Sequence, residues 1–544
     1  MRDFEEFGIL LGCSENSVPN VATVKRFADV MAVLGYNTLY LETSDTYKIK
    51  REPYFGYMRG GYTEEDIRAM DEYCAGRGIE LVPAIQTLAH LHFLKNYERF
   101  APILDVDDIL LADEEETYSF IEEMFEALAG MYKTRRVNIG MDEAYLLGAG
   151  RYYHRHGAAD KMEIFLRHLN RVVGIAAKYG FSCEMWSDVF FNAVSKGNVY
   201  EAGENAVPED WKYRVPENLT LVYWEYFVRS EEQCEEMIDK HRQICGRIKY
   251  AGTFFRWYGV TPCNVFTEKV MKRALAACKN RGVKHVIFTL WGDYGGGSSL
   301  FATLPAMWYL ARYAQNGCDE SKIDESEFQR LFGVDYKDFT LLDTPNRPYT
   351  DFRTKEVSDD RLNNKSHFYL YNDVMYGTFD SLLSDGISAA YGRTAKAIAS
   401  VRAGEYRYIF KVLAALSSVL AIKADLSKRL YLAYRAGDKG TLYELIKKDM
   451  PALLRRIDRY FAAFKVQWLK ENKPFGFEVQ CIRIGGLKER IRYAAERVEK
   501  YLRGETEKIE ELEEEHLPLG YAGGADEDSY NITRYQPVAA HGFI

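Results

Sequence analysis

The feature that most constrains the fold is a regular alternation of short apolar segments and longer amphipathic ones in the first three-fifths of the chain. The apolar segments are rich in β-branched and aromatic residues, and the segments between them repeat with helical periodicity. Eight candidate strands lie at residues 7–12, 37–43, 79–85, 135–140, 182–187, 219–225, 248–255 and 283–290. Near-continuous apolar strands joined by helices predict a parallel sheet buried on both faces. Because the count is eight, we expect an α/β fold that closes into a (β/α)8 TIM barrel over residues 1–325.

The segments between and after these strands carry helix signals. Thr63 precedes three acidic residues, which suit the first turn of a helix. Only the connection over residues 188–218 is irregular, with a weaker helical pattern. Beyond residue 325 the pattern changes to long, charged helical segments, over residues 390–402, 406–435, 438–472 and 484–515. We therefore expect a mostly α-helical C-terminal domain over residues 326–544, ending in an irregular tail over 517–544.

Composition excludes several classes of protein. The net charge is −9 and the acidic and basic residues are interspersed, which disfavours nucleic acid as a partner. No apolar run approaches the roughly 18 residues that span a bilayer, and the N-terminus does not resemble a signal peptide, so no membrane association is expected. Nine cysteines with irregular spacing indicate reduced thiols in a cytoplasmic protein.

Chemistry is expected where the strands end. Barrel enzymes place their sites at the C-terminal ends of the strands, so the residues after each predicted strand are candidates. Carboxylates can protonate a leaving group, and aromatic rings can stack on the C–H face of a sugar. Such side chains follow most of the strands: Asp45, His90, Asp142, Glu143, Trp186, Tyr223, Trp224, Glu225, Tyr226, Trp257, Trp291 and Asp293.

The adjacent acids Asp142 and Glu143 are the central candidates. Neighbouring residues on a strand point to opposite faces, so both can face one pocket only where the strand stops. Gly140 marks such a place. Two carboxylates close to one site raise the pKa of one of them, which leaves an acid protonated near neutral pH. A solvated pair on a loop is the alternative interpretation.

These residues resemble glycoside hydrolase family 20, the β-N-acetylhexosaminidases. The family motif H-x-G-G-D-E at the end of the fourth strand is matched here by NIGMDE over residues 138–143, which keeps Gly-x-Asp-Glu. The resemblance extends along nearly the whole chain through LYLETSDTY, PYFGYMRGGYT, WSDVFF, VYWEYF, TLWGDYGG and KPFGFEVQCIRIGGL. It is strongest to a bacterial subgroup in which the barrel begins the chain and a helical domain follows.

The resemblance implies a substrate-assisted retaining mechanism, in which the 2-acetamido oxygen of the substrate attacks the anomeric carbon. Glu143 matches the acid/base, and Asp142 matches the residue that orients the acetamide N–H. His90 matches the histidine beside the acid/base, and Asp45 the residue that orients that histidine. Tyr223 matches the tyrosine that binds the acetamide oxygen, with Tyr226 as the alternative. No metal and no organic cofactor are implied.

Carbohydrate is the implied partner, a terminal amino sugar of an oligosaccharide or glycoconjugate. The expected substrate-binding residues are Trp186, Trp224, Glu225, Tyr226, Trp257, Trp291, Asp293, Glu15 and Arg59. Two positions depart from the subgroup, because Glu15 and Gly297 stand where it has an arginine and an acidic residue. A reversed charge needs a new partner, for which Arg59 and Arg256 are candidates.

Three functions follow from this sequence. The leading one is an exo-acting β-N-acetylhexosaminidase. The second is a family 20 scaffold with altered glycone specificity that cleaves a different β-glycoside. The third is a catalytically silent sugar-binding protein, against which the joint presence of Asp142, Glu143 and His90 argues. The helical domain is expected either to close one side of the cleft or to mediate self-association as a homodimer.

Overall fold

The computed structural model describes residues 3–195, 206–348, 364–517 and 534–542. Its first half is a closed barrel of eight parallel strands that pair in chain order, with β1 pairing β8 to close the ring. The strands are β1 (Glu6–Gly12), β2 (Thr38–Glu42), β3 (Glu80–Ala84), β4 (Arg136–Asn138), β5 (Ser182–Trp186), β6 (Thr220–Trp224), β7 (Ile248–Thr253) and β8 (His285–Leu290). Each predicted strand overlaps one of these, so the predicted TIM barrel is confirmed.

Helices surround the barrel as the periodicity predicted. They are α1 (Val21–Leu34), α2 (Glu64–Ala75), α3 (Glu115–Met131), α4 (Arg151–His156), α5 (Lys161–Lys178), α6 (Asp188–Val194), α7 (Trp211–Arg214), α8 (Glu231–Ile244), α9 (Asn264–Asn280) and α10 (Leu304–Gln315). Thr63 caps α2, with its hydroxyl accepting a hydrogen bond from the Asp66 backbone at 3.1 Å. The irregular connection over 188–218 contains α6 and α7, and its residues 196–205 lie outside the described residues.

A helical region follows the barrel, as predicted. Its helices are α11 (Ser326–Phe332), α12 (Tyr336–Thr340), α13 (Lys365–Tyr371), α14 (Ile387–Ser400), α15 (Arg407–Lys423), α16 (Leu426–Arg435), α17 (Lys439–Glu444), α18 (Met450–Glu471), α19 (Phe477–Leu502), α20 (Glu510–Glu513) and α21 (Tyr535–Ala539). The segment predicted over 484–515 is shorter at its C-terminal end, because Gly504 adopts a φ of 73° just beyond α19. Of the predicted irregular tail, residues 518–533 and 543–544 lie outside the described residues. The described helices include none that is long and apolar enough to cross a membrane.

The N-terminal end of the barrel interior holds a network of ion pairs. The ammonium of Lys249 lies 3.0 Å from Glu6 and 2.8 Å from Glu184. Arg136 contacts the same two carboxylates at 2.7 and 2.9 Å. Burial opposes ionisation of Glu184, but the charges of Lys249 and Arg136 outweigh it and lower the pKa of Glu184. The network pairs each of these buried charges with groups of opposite sign, without which they would be unpaired inside the barrel.

We expect the substitution Lys249→Met to destabilise the fold by about 3 kcal/mol, because it leaves two buried carboxylates with one cation between them. The loss should appear as a lower midpoint in urea unfolding at pH 7. Lys284→Met removes an exposed lysine one strand away and serves as the matched control. An unfolding midpoint equal to that of the control would contradict a structural role for the network.

The helical region docks on the loop that follows β8. Gln467 on α18 donates a hydrogen bond to the carbonyl of Gly297 at 3.1 Å, and Gln480 on α19 donates to that of Gly295 at 2.8 Å. Arg483 donates to the carbonyl of Tyr294 at 2.5 Å. The loop is therefore fixed by side chains that come 170–189 residues later in the chain.

Candidate active site

A cavity of about 390 Å³ opens at the C-terminal end of the barrel, where the sequence placed the site. Ten of the fourteen predicted site residues line it: Glu15, His90, Asp142, Glu143, Trp186, Trp224, Tyr226, Trp257, Trp291 and Asp293. They come from the last residues of seven of the eight strands or from the loops that follow, so the closed barrel is what brings them together. Among the described residues, no group of three or more His, Cys, Asp or Glu side chains is arranged to hold a metal ion.

The turn after β4 explains how two adjacent acids reach one cavity. Gly140, Met141 and Glu143 have φ angles of 70°, 70° and 52°, so the chain leaves strand geometry at once. A Cβ atom on Gly140 would lie 2.0 Å from the amide oxygen of Gln86, and only glycine fits there. A left-handed conformation at a non-glycine residue is unfavourable, and its presence at Met141 and Glu143 is typical of functional sites.

Asp142 is held as a carboxylate by two neighbours. Its Oδ2 lies 3.2 Å from Nε2 of His90, and its Oδ1 accepts a hydrogen bond from the Gln86 amide at 3.1 Å. Burial opposes ionisation of Asp142, but the charge and hydrogen bond of His90 outweigh it and lower the pKa of Asp142. In return, although burial opposes its charge, the interaction with Asp142 raises the pKa of His90 to about 10.

The pKa of Glu143 is displaced in the opposite direction. Burial and the charge of Asp142 raise the pKa of the Glu143 carboxyl. Its Oε1 accepts a hydrogen bond from the Tyr145 hydroxyl at 3.2 Å, and its Oε2 lies 3.7 Å from Nε2 of His90. The pair thus combines one ionised carboxylate with one carboxyl poised to carry a proton, which is the arrangement that acid/base chemistry requires.

Aromatic side chains form the opposite wall and floor of the cavity. Trp186 and Trp291 have ring centroids 6.0 Å apart, and Tyr226 lies 5.2 Å from Trp224 and 5.7 Å from Trp257. The Trp291 indole N–H donates a hydrogen bond to the Tyr226 hydroxyl at 2.8 Å. Rings of this kind offer apolar faces to the C–H surface of a sugar or to a methyl group, with polar edges fixed by their partners.

The structure does not bring Tyr223 into the cavity, which corrects the prediction that placed it there. Strand β6 alternates, so Val222 and Trp224 face the barrel interior while Tyr223 faces the surrounding helices. Its ring packs 4.5 Å from that of His241. Tyr226, beyond the strand end, is the tyrosine that lines the cavity. Glu225 also does not line it, because its carboxylate accepts a hydrogen bond from the Phe227 backbone at 2.7 Å.

Asp45 and Arg59 lie behind the cavity wall and pair with each other, with Nε of Arg59 at 3.3 Å from Oδ2 of Asp45. This placement corrects the expectation that Asp45 orients His90, whose Nε2 faces Asp142 instead. Arg59, which was expected to contact substrate, does not line the cavity. Arg59 donates hydrogen bonds to the backbone carbonyls of Ser14 and Glu15, so it shapes the loop after β1.

Three functional residues were given no role from the sequence. Asp188 accepts hydrogen bonds from the Glu143 backbone N–H at 2.9 Å and from the Trp224 indole at 3.2 Å. Gln86 holds Asp142, and Glu42 lines the cavity. Each stands at a strand end or within two residues of one, so its position alone could have marked it.

Comparisons with known proteins identify sequence families that this chain matches. The family profile described as glycosyl hydrolase family 20, catalytic domain, matches residues 8–234, and that of the glycoside hydrolase 20C C-terminal domain matches residues 337–531. Hexosaminidase D of Bos taurus is 24% identical over 255 residues, covering 44% of this chain and 66% of its own length. A β-hexosaminidase of Akkermansia muciniphila is 26% identical over 167 residues, covering 25% of this chain and 34% of its own.

Among solved structures, the GH20 exo-β-N-acetylglucosaminidase of Vibrio harveyi matches with a TM-score of 0.46 and 16% identity, over 63% of this chain and 59% of that one. The N-acetyl-β-hexosaminidase of Streptomyces plicatus matches with a TM-score of 0.44 and 20% identity, over 63% and 70%. The chain spans just under two thirds of the bovine relative and about a third of the Akkermansia one. With family 20 profiles that match residues 8–234 and 337–531, the chain belongs to glycoside hydrolase family 20.

Proposed function

We propose that this chain is an exo-acting glycoside hydrolase that releases terminal β-linked N-acetylhexosamine with retention of configuration. The observation that carries the proposal is the pair Asp142 and Glu143, which line one cavity with pKa values displaced in opposite directions. The bovine relative, named Hexosaminidase D, supports the same substrate class.

In this proposal Glu143 handles the proton. As an acid it protonates the leaving glycosidic oxygen while the bond to the anomeric carbon breaks, and as a carboxylate it then takes a proton from the attacking water. Its raised pKa favours the protonated carboxyl that the first step needs. Its side chain is 40% exposed, so both a leaving group and a water molecule can reach it.

Asp142 handles the acetamide. The carbonyl oxygen of the substrate's 2-acetamido group attacks the anomeric carbon and forms a cyclic oxazolinium ion. Asp142 accepts a hydrogen bond from the acetamide N–H, which orients the acetamide and stabilises the positive charge that develops on it. Tyr226 donates its hydroxyl hydrogen to the acetamide oxygen, and the neighbouring tryptophans enclose the methyl group.

Aryl β-glycosides of N-acetylglucosamine and N-acetylgalactosamine test the proposal. Hydrolysis followed by NMR should give the β-anomer as the first-formed product, and a thiazoline that mimics the oxazolinium ion should inhibit competitively. A family 20 enzyme with specificity for another glycoside would cleave a substrate that lacks the acetamide and would not be inhibited by the thiazoline. A silent sugar-binding protein would bind the free sugar and release no aglycone.

The proposal predicts how pH dependence responds to His90. Activity needs Asp142 ionised and Glu143 protonated, and the positive charge of His90 lowers the pKa of both. His90→Gln removes that charge, so both pKa values rise and the whole bell-shaped profile of kcat/KM moves to higher pH, by about one unit for a charge interaction of about 1.4 kcal/mol. A profile that keeps its midpoints, or moves to lower pH, would contradict this assignment.

Asp188 is predicted to act as a positioning residue for the same reaction. Asp188→Asn leaves one acceptor oxygen for two donors, the Glu143 backbone and the Trp224 indole. We expect kcat to fall about tenfold, and stability to fall by about 1–3 kcal/mol because a buried donor loses its partner. Asn192→Ala, which removes only a 3.4 Å contact to Asp188, is the control for steady-state kinetics and urea unfolding. Equal kcat in the two variants would argue against the positioning role.

A further inference from the structure

A buried guanidinium without an anionic partner lies against the loop that follows β8. Arg256, just beyond β7, is 3% exposed, and its Nη1 donates a hydrogen bond to the backbone carbonyl of Ser298 at 2.7 Å. Its Nε and Nη2 have no partner among the described residues, and no carboxylate of those residues forms an ion pair with it. The pair with Glu15 that the sequence allowed is therefore not formed. A buried charge is costly unless a group of opposite sign compensates it.

Two buried hydroxyl groups lie in the same region. Ser17 and Ser298 are 2% and 3% exposed, and the Oγ of each has no hydrogen-bond partner in the described ranges. Gly292 leaves space beside them, because a Cβ atom there would lie 3.3 Å from Oγ of Ser17 and 3.4 Å from Nη2 of Arg256. The guanidinium and a hydroxyl thus border one small space, and both can donate hydrogen bonds into it.

The acidic groups nearest to Arg256 favour their neutral forms. Burial raises the pKa of the Cys13 thiol to about 12 and the pKa of Asp293 well above its usual value. Burial also raises the pKa of Glu471, whose carboxyl oxygens already accept three hydrogen bonds from other groups. Burial lowers the pKa of Arg256 only to about 10, so the guanidinium stays charged at pH 7. The cation is therefore poorly compensated by the protein itself.

We propose that Arg256, Ser17 and Ser298 bind a single halide ion, chloride in ordinary solution, beneath the loop that follows β8. A water molecule could accept the hydrogen bonds but would leave the positive charge uncompensated, whereas an anion does both. The space beside Gly292 is close to the size of a methyl group, which suits one atom better than an oxyanion of several. This site is independent of the proposed function, because it makes no assumption about the substrate.

The position of the ion explains what it does for the fold. Gly292 directly precedes the segment 293–297, whose backbone carbonyls receive the hydrogen bonds from α18 and α19. An ion that joins Arg256, after β7, to Ser17, after β1, and to Ser298, after β8, ties three neighbouring connections of the barrel together. An ion bound to the folded state alone stabilises it by mass action.

Crystals of the full chain grown with sodium bromide test for the ion directly, because bromide scatters anomalously and water does not. We expect an anomalous difference peak in contact with Nη2 of Arg256 and Oγ of Ser17. The absence of a peak there, including density that fits water only, would overturn the inference.

Thermal unfolding tests whether the ion binds in solution. In a halide-free buffer, sodium chloride at about 100 mM should raise Tm by about 2 °C or more relative to the same concentration of sodium gluconate, whose anion is too large for the site. A smaller difference would mean that halide binds at crystal concentrations only, and would overturn the inference as well.

The variant Gly292→Ala assigns both effects to this site. The added methyl group fills the space while the guanidinium and both hydroxyls stay in place, and the φ of −112° at Gly292 is open to alanine. We expect the bromide peak and the chloride-dependent rise in Tm to disappear. Gly130→Ala on α3, where a Cβ atom meets nothing within 4 Å, is the matched control and should keep both. A chloride-dependent rise that Gly292→Ala retains would refute the assignment.

A second variant keeps the space and the charge and removes one donor. Ser17→Ala should increase the chloride concentration that gives half of the rise in Tm by about fivefold, the factor expected for one lost hydrogen bond. Ser119→Ala, at an exposed position on α3, should leave that concentration unchanged. Equal concentrations in the two variants would exclude Ser17 from the site and overturn the proposal as stated.

Discussion

The variant Glu143→Gln should lose about 10³-fold in kcat on an aryl β-N-acetylglucosaminide, while KM changes little. The amide keeps the size of the side chain and its contact with Tyr145 but can neither donate an acidic proton nor accept one from water. General acid/base catalysis contributes about 10²–10⁴-fold, and the same group serves both steps of the proposed reaction. Steady-state kinetics with the purified variant measure the loss.

Two further measurements separate lost chemistry from lost structure. With a 2,4-dinitrophenyl leaving group, which departs without a proton, the first step should recover, and azide should then speed the second step by replacing the water that needs a base. The surface variant Glu163→Gln, on α5, is the matched control for folding and should keep full activity. A loss in Glu143→Gln below tenfold would remove Glu143 from the mechanism.

The variant Asp142→Asn should lose about 10²–10³-fold in kcat, the magnitude expected when one preorganised group that stabilises developing charge is removed. The asparagine cannot supply the negative charge that offsets the oxazolinium ion, and its amide can present an N–H to the acetamide N–H. Affinity for the thiazoline should fall with it, by a similar factor, because the ring nitrogen of that compound lies where Asp142 binds the acetamide N–H and gains the same positive charge when it takes a proton. Inhibition constants and kcat measured together test both parts.

A matched variant separates the charge of Asp142 from its orientation. Gln86→Met removes the 3.1 Å hydrogen bond to Asp142 and leaves the carboxylate and its His90 partner in place. We expect it to cost about tenfold in kcat, much less than Asp142→Asn. If Asp142→Asn costs no more than Gln86→Met, the acetamide is not the group that Asp142 binds, and a glycoside without it becomes the better candidate substrate.

The barrel could be predicted from sequence because its strands are short, apolar and separated by capped helices, so local periodicity and parallel pairing demand the same fold. Helix ends set by a single residue were harder to place. The segment predicted to run to residue 515 ends instead at Leu502, where Gly504 adopts a left-handed conformation. The helical periodicity of the sequence continues past such a residue, whereas the helical conformation of the backbone ends there.

Site residues could be predicted where their position along a strand determines which way the side chain points. They could not be predicted where a contact between distant parts of the chain determines it. Tyr223 lies within β6, where side chains alternate between the two faces, so its ring points towards the helices. Tyr226 lies beyond the strand, where this alternation no longer applies, and lines the cavity. The pairing of Asp45 with Arg59 depends on how two loops fold against each other, which no local pattern encodes. The contact of Asp188 with the backbone N–H of Glu143 is not encoded in any sequence pattern, so only the position of Asp188, two residues beyond β5, could have marked it.

The docking of α18 and α19 on the carbonyls of residues 294–297 makes one rim of the cavity a joint product of both halves of the chain. Trimming the protein to a minimal barrel would release the segment beside Asp293 along with the helices. Exchanging the helical half between homologues should, by the same reasoning, reshape the rim opposite the paired acids while every strand stays untouched. The helices of the C-terminal half would then vary the shape of the cavity rim between homologues as well as hold the rim in place.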